Sequence, residues 1–312
     1  LNSGLLAPAC EAGPEARPGP LDARWERTRG SASVRVEIAT ASDGSAPREV
    51  RFTLDGAPAP DGAAVLDRDA GAYDVTLSDL SEGRHELGVR VIDMAGRASE
   101  PVDLPFWTER EPFSWDDALM YMIVVDRFAN GQSASDDPVG APVEYPADFH
   151  GGDLDGILEV MRSGYFEELG VNALWLSPIN AQAIGHFEGR EDTRRYAGFH
   201  GYWPRRGREV EPRFGGNDAL RALVDEAHAR GIRVLLDLIN NQVHEQHEYF
   251  VDHPDWFRTG CVCGIDSGCG WSERPLDCLF ASYLPDIDWR EPGAEQQFIA
   301  DAIYWIDAYD VD

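Results

Sequence analysis

The chain has 312 residues, 43% of them hydrophobic, and carries 56 Asp and Glu against 27 basic residues, all Arg, for a formal charge of −29. That charge argues against nucleic acid and against anionic membrane surfaces, which demand Lys and Arg, and leaves a neutral polymer as an acceptable partner. The apolar content suffices for a core, the length predicts two domains, and no apolar run is long enough to span a bilayer.

The opening LNSGLLAPAC does not begin with Met and reads as the tail of a secretory or lipoprotein signal, with Cys10 placed for a lipid anchor. Residues 11 to about 33 are rich in Pro, Gly, Ala and charge without periodicity, so residues 1–33 are expected to be a signal remnant and linker. From Ser33 the pattern becomes short alternating runs, SVRVEIAT, EVRFTLDG, YDVTLSDL and HELGVRVIDMAG, separated by Asp-Gly, Ala-Gly and Glu-Gly turns. Residues 34–108 therefore predict a β-sandwich. Its end, VRVIDMAGRASEP, is similar to immunoglobulin-like modules that precede many polysaccharide-active enzymes, and a spacer or docking role is expected ahead of sugar binding.

After Trp107 strands alternate with helical stretches, the signature of βα units and a parallel sheet, over residues 109–312. Strands are expected over Leu119–Phe128, Val171–Pro178 and Arg233–Asn240, and helices over Leu154–Leu169, Asn217–Arg230 and Ala294–Ala308. Between the third strand and the last helix runs a long excursion, about residues 243–292, that holds four of the five Cys: Cys261, Cys263, Cys269 and Cys278. In an exported protein these form disulfides, in a cytosolic one a metal knot, and export is the better fit. Cys261 and Cys263 are too close for an easy mutual bridge, so each is expected to pair with Cys269 or Cys278, with zinc as the alternative.

Chemistry concentrates where apolar runs end. In VLLDLINNQVH, Val234 to His244, five mostly apolar residues run into a polar cluster, and Asp237 interrupts what a strand covered on both faces should keep hydrophobic. Residues two apart share a face, which places Asp237, Ile239 and Asn241 together. The spacing Asp-x-x-x-Asn resembles the third-strand motif of the α-amylase family of glycoside hydrolases, where a His usually follows; here that position is Gln242. Further stretches occur in the order of that family. GFHGYW, Gly198 to Trp203, resembles its His-Gly-Tyr-Trp motif, which implies substrate contacts from His200, Tyr202 and Trp203. YLPDIDW resembles the motif that ends its inserted subdomain, which implies one Ca2+ shared by Asp286 and Asn241. DRFANGQSASDDP and HGGDLDGI resemble its first-strand calcium loop, which implies ligands at Asn130, Gln132, Ser135, Asp136, the Gly151 carbonyl and Asp153, with Gln132 and Ser135 departing from the usual acids or amides. Calcium takes six to eight oxygens, so this chemistry suits it.

The resemblance covers roughly Ala118 to Asp312 and implies the first three strands of a TIM (β/α)8 barrel with a small subdomain inserted after the third. It implies a retaining enzyme acting on α-1,4 bonds of starch or maltodextrins by hydrolysis or transglycosylation, extracellular or at the cell surface, with substrate held also by Asp237 and Gln242. The paired carboxylates and third acid of such enzymes follow later strands and are expected after Asp312, so this stretch alone is expected to be inactive. The alternative is a non-catalytic amylase-like protein that binds glucan or a partner, and Gln242 keeps it open.

Overall fold

The computed structural model describes residues 20–28, 30–39, 44–109, 113–189, 193–274 and 276–312, divided between two compact units, Leu1–Asp117 and Ala118–Asp312. Cys10, with its expected anchor, lies outside the described residues.

The first unit holds β1 (Pro20–Thr28), β2 (Ser31–Ile38), β3 (Pro47–Leu54), β4 (Ala57–Pro58), β5 (Ala64–Asp67), β6 (Ala72–Ser78), β7 (Gly83–Asp93) and β8 (Val102–Thr108). They form two four-stranded sheets, in the orders β1-β2-β6-β5 and β4-β3-β7-β8. Alternation sets the inner faces: Ala32, Val34 and Val36 of β2, Val75 and Leu77 of β6, Leu87 and Val89 of β7, and Leu104 and Phe106 of β8 share one core. Side chains from both sheets meet there, as in a sandwich. The expected linker ends earlier than read, because Pro20–Thr28 is a strand paired antiparallel with β2. The physical reason is non-local: PLDARWERT alternates apolar and charged residues, and the ladder to β2 supplies what its weak local preference does not.

The second unit begins with β9 (Met120–Ile123) and the single turn α1 (Val125–Phe128), where one strand to Phe128 had been expected. α2 (Leu154–Arg162) starts on Asp153, whose side chain accepts from the Gly156 N–H, and buries Leu154, Ile157, Leu158 and Met161 along one stripe. The expected single helix to Leu169 is broken, because Gly164 at φ 86° is left-handed and starts the short α3 (Tyr165–Glu168). β10 (Ala173–Leu176) follows, then two small strands, β11 (Phe187–Glu188) and β12 (Arg195–Tyr196), then α4 (Gly216–Ala229) and β13 (Arg233–Leu236). β10 lies between β9 and β13 in a three-stranded parallel sheet. The third strand is shorter than expected: after Asp237 N–H donates to the Leu176 carbonyl, the chain leaves the ladder.

One face of that sheet, with Ile123, Leu174, Leu176 and Val234, packs against α2 and α4. On the other, Met120, Met122 and Trp175 are exposed. The inserted stretch adds α5 (Glu248–Asp252), β14 (Phe257–Arg258) and β15 (Asp286–Ile287), and α6 (Pro292–Tyr309) closes the unit. Parallel strands with helices against one face are the arrangement found in part of a (β/α)8 barrel.

Candidate functional site

The loop between β10 and α4 is held at both ends, by isolated bridges pairing Asn180 with Val210 and Gln182 with Pro204. Its turn needs Gly201, which sits at φ 90° with the Pro178 carbonyl where a side chain would start. Beyond it Tyr202 projects, 39% exposed, and its hydroxyl donates to Asp237 Oδ2 at 2.7 Å. Burial first, and then the acid's hydrogen bond, push this phenol up to about 12, so it stays a donor. His200 stacks beside Tyr202 with ring centroids 5.9 Å apart, and its Nδ1 accepts from the Tyr202 N–H. Burial, with Arg127 adding, holds His200 down to about 4, so it is a neutral imidazole at pH 7. The predicted residues Tyr202, His200 and Asp237 thus come together.

Trp203 and Gln242 do not join that surface. Trp203 is only 7% exposed and packs with Ala183, Ala281 and Leu284 beneath the loop, its ring edge-on to Phe187 and Tyr283. Gln242 is 6% exposed, and its amide donates to the Tyr202 carbonyl and accepts from Asn241 Nδ2 at 3.2 Å. Gln242 supports Tyr202 from behind, and Trp203 lies edge-on to His200 with ring centroids 4.7 Å apart.

Asn241 and Asp286 are adjacent: Gln242 bridges Asp286, the Ile287 N–H donates to the Asn241 carbonyl, and Asn241 Nδ2 lies 3.1 Å from Asp286 Oδ1. Asp286 is 3% exposed, and its nearest cation, Arg258, stands 3.9 Å away. Burial pushes this carboxyl up to about 6, the mark of a buried acid short of compensating charge.

In the first loop Asn130 Nδ2 lies 2.9 Å from both oxygens of Asp136, and a Cβ on Gly151 would fall 2.6 Å from the same nitrogen. Asn130, Asp136 and Gly151 therefore converge. Asp153 accepts from the N–H groups of Gly131, Gln132 and Gly156. Ser135 donates its hydroxyl to the Gln132 carbonyl. Among the described residues no three His, Cys, Asp or Glu side chains gather as a metal group.

Residues 122–257 match the family model of the alpha-amylase catalytic domain. The periplasmic alpha-amylase of Escherichia coli (strain K12) is 39% identical over 135 residues, which are 42% of this chain and 20% of that protein. A cyclomaltodextrinase of Bacillus sp is 31% identical over 215 residues, 63% of this chain and 34% of that protein. The crystal structure of an Anoxybacillus alpha-amylase superposes with a TM-score of 0.53 at 34% identity, covering 64% of this chain and 40% of that one. Residues 122–257 of this chain are thus similar to the alpha-amylase catalytic domain. The chain spans between a fifth and about a third of the curated relatives just described.

The second unit also uses residues to which the motifs assign no role. Asp126, 2% exposed, accepts from the N–H groups of His150 and Gly151 and so ties the end of β9 to the first loop. Burial pushes its carboxyl up to about 6 against those bonds. Arg127 donates to the Asp148 carbonyl and lies 3.8 Å over the Phe199 ring, fixing the residue before His200. Gln182 accepts from the Trp203 N–H and seats the aromatic loop. An acid flanked by Arg in DRF was a readable signal; a lone Gln in AQAIGHF was not. The four Cys pair as Cys261–Cys269 and Cys263–Cys278, within the alternatives the spacing allowed.

Proposed function

We propose that the protein is an α-glucan-active glycoside hydrolase or transglycosylase that holds α-1,4-linked glucose units of starch or maltodextrins beside the end of β13. The observation that carries this reading is the 2.7 Å hydrogen bond between exposed Tyr202 and Asp237 at the carboxyl end of a parallel strand. Tyr202 offers an apolar face for a sugar ring and Asp237 an acceptor for its hydroxyls, in the place where barrel enzymes build their sites. His200, neutral and stacked on Tyr202, adds a hydrogen-bonding edge. Gln242 acts through Tyr202, and Trp203 through His200. None of these residues is assigned the nucleophile or the acid.

The reading includes calcium. Asp286 and Asn241 fit it, because a buried carboxylate with one amide neighbour and an Arg no closer than 3.9 Å gains from a divalent ion. Asn130, Asp136 and the Gly151 carbonyl are the second candidate set. When bound, calcium supplies charge compensation and a tether, not bond chemistry. The disulfides accord with an extracellular or cell-surface location. No helix among the described residues is long and apolar enough to cross a membrane. The first unit, read as an immunoglobulin-like module, serves as spacer or docking element.

Incubating the full-length protein with maltoheptaose and following products by NMR tests the reading: shorter maltooligosaccharides released as the α-anomer are expected. Neither binding nor turnover would overturn it. A non-catalytic glucan binder is the second reading, favoured by Gln242 where a His is usual, and binding without turnover would select it.

A further inference from the structure

The two disulfides enclose a compact knot that lies past residue 257, where the catalytic-domain match ends. Its interior is sulfur: Cys263 and Cys269 are fully buried. Its exterior carries two large rings, Trp271 at 46% and Phe280 at 44% exposure, with centroids 5.8 Å apart and planes 46° to one another. Both positions are braced. Trp271 rides in a turn closed by the Glu273 and Arg274 N–H groups on the Gly270 carbonyl. Phe280 follows Leu279, whose N–H donates to the Cys261 carbonyl, and precedes Ala281, which packs with Trp203 beneath the Tyr202 loop.

We infer that the Trp271–Phe280 pair is a second carbohydrate site, a platform for a neutral glucan chain apart from Tyr202 and Asp237. It deepens the glucan reading above and rests on it. Rings exposed on a loop cross-linked twice are already ordered, so binding loses little conformational freedom. Two rings about half exposed present on the order of 200 Å² of apolar surface. Even with exposed Ile265 and Leu276 of the same knot, that is small beside the roughly 800 Å² per partner of a stable protein interface. It suits the faces of a few sugar rings. The same knot holds groups for hydroxyls: the Arg274–Asp277 pair, bonded at 3.1 and 2.7 Å, and Glu273, whose carboxylate accepts from the Gly270 N–H. A formal charge of −29 disfavours an anionic polymer and is indifferent to a neutral one.

Native electrophoresis of the full-length protein through gels with and without soluble starch tests this, with the Trp271→Ala/Phe280→Ala variant beside the wild type. Starch should retard the wild type, and the variant should lose affinity by about fivefold or more while turnover of maltotetraose is unchanged. Unchanged turnover also shows that the variant has folded. Equal retardation of both proteins overturns the platform and leaves the glucan reading standing. No retardation of either, with maltotetraose still turned over, overturns the platform alone; no retardation and no turnover overturns both.

Discussion

Tyr202 is where one atom has the most to say. Its hydroxyl holds Asp237 at 2.7 Å while its ring stays accessible, so the same side chain orients the acid and offers the stacking face. Tyr202→Phe keeps the ring and removes that bond, and should weaken maltooligosaccharide binding by about fivefold, the worth of one modest hydrogen bond. Calorimetric titration reads it, and unchanged affinity would separate Asp237 from the ligand. A second residue carries a pH dependence. His244 is fully buried among Phe187, Trp203 and Tyr283, its Nδ1 accepts from the Gln246 N–H, and its Nε2 has no hydrogen-bond partner among the described residues. Burial, with His247 adding, holds it down to about 4, below its ordinary 6.5. The unfolded chain takes up that proton first, so the contribution is full above pH 6.5 and is lost as pH falls towards 4, by up to about 3 kcal/mol. His244→Phe should flatten urea-derived stability between pH 7 and pH 4.5. An undiminished fall in the variant would place the acid sensitivity elsewhere.

Among the elements, α2 shows how one side chain can serve two structures. Asp153 caps the helix through Gly156 and clamps the first loop through Gly131 and Gln132. Asp153→Ala leaves three N–H groups without that acceptor and should cost about 2 to 3 kcal/mol, measured by urea unfolding. A loss within about 0.5 kcal/mol would mean that the loop finds other acceptors. Family likeness and local physics fall on the same residue here: HGGDLDGI points to a calcium ligand at Asp153, and the helix start that follows it also makes Asp153 a cap. Long alternating runs and amphipathic stretches announced β2, β3, β6, β7, α2, α4 and α6, because their apolar residues recur with the strand or helix period. Other elements were hidden for stated reasons. β8 contains Pro105, which argues against a strand until its edge position is known. β1 depends on its partner, and the break at Gly164 depends on a backbone angle that a lone Gly does not declare. Of the site, the residue types were legible and the accessibilities were not: nothing in GFHGYW distinguishes exposed Tyr202 from buried Trp203.

At the scale of the molecule, the second unit gathers its polar groups at the ends of β9, β10 and β13, and the inserted stretch returns Asp286 to Asn241. That return closes a long loop around a buried carboxylate, so an ion there would act on global stability. Calcium should therefore raise the melting temperature of the full-length protein, with about 2.7 kcal/mol gained at a hundredfold excess over its Kd, and Asn241→Ala should reduce the gain. A melting curve indifferent to chelator would remove calcium from the account. The central claim is that Asp237, presented by β13 and held by Tyr202, binds a glucan. It is tested most directly by titrating maltoheptaose calorimetrically into the wild type and the Asp237→Asn variant, with melting curves as the control for folding. The account predicts saturable binding by the wild type and a loss of about tenfold or more in the variant, with little change in melting; equal affinity in the two proteins would contradict it.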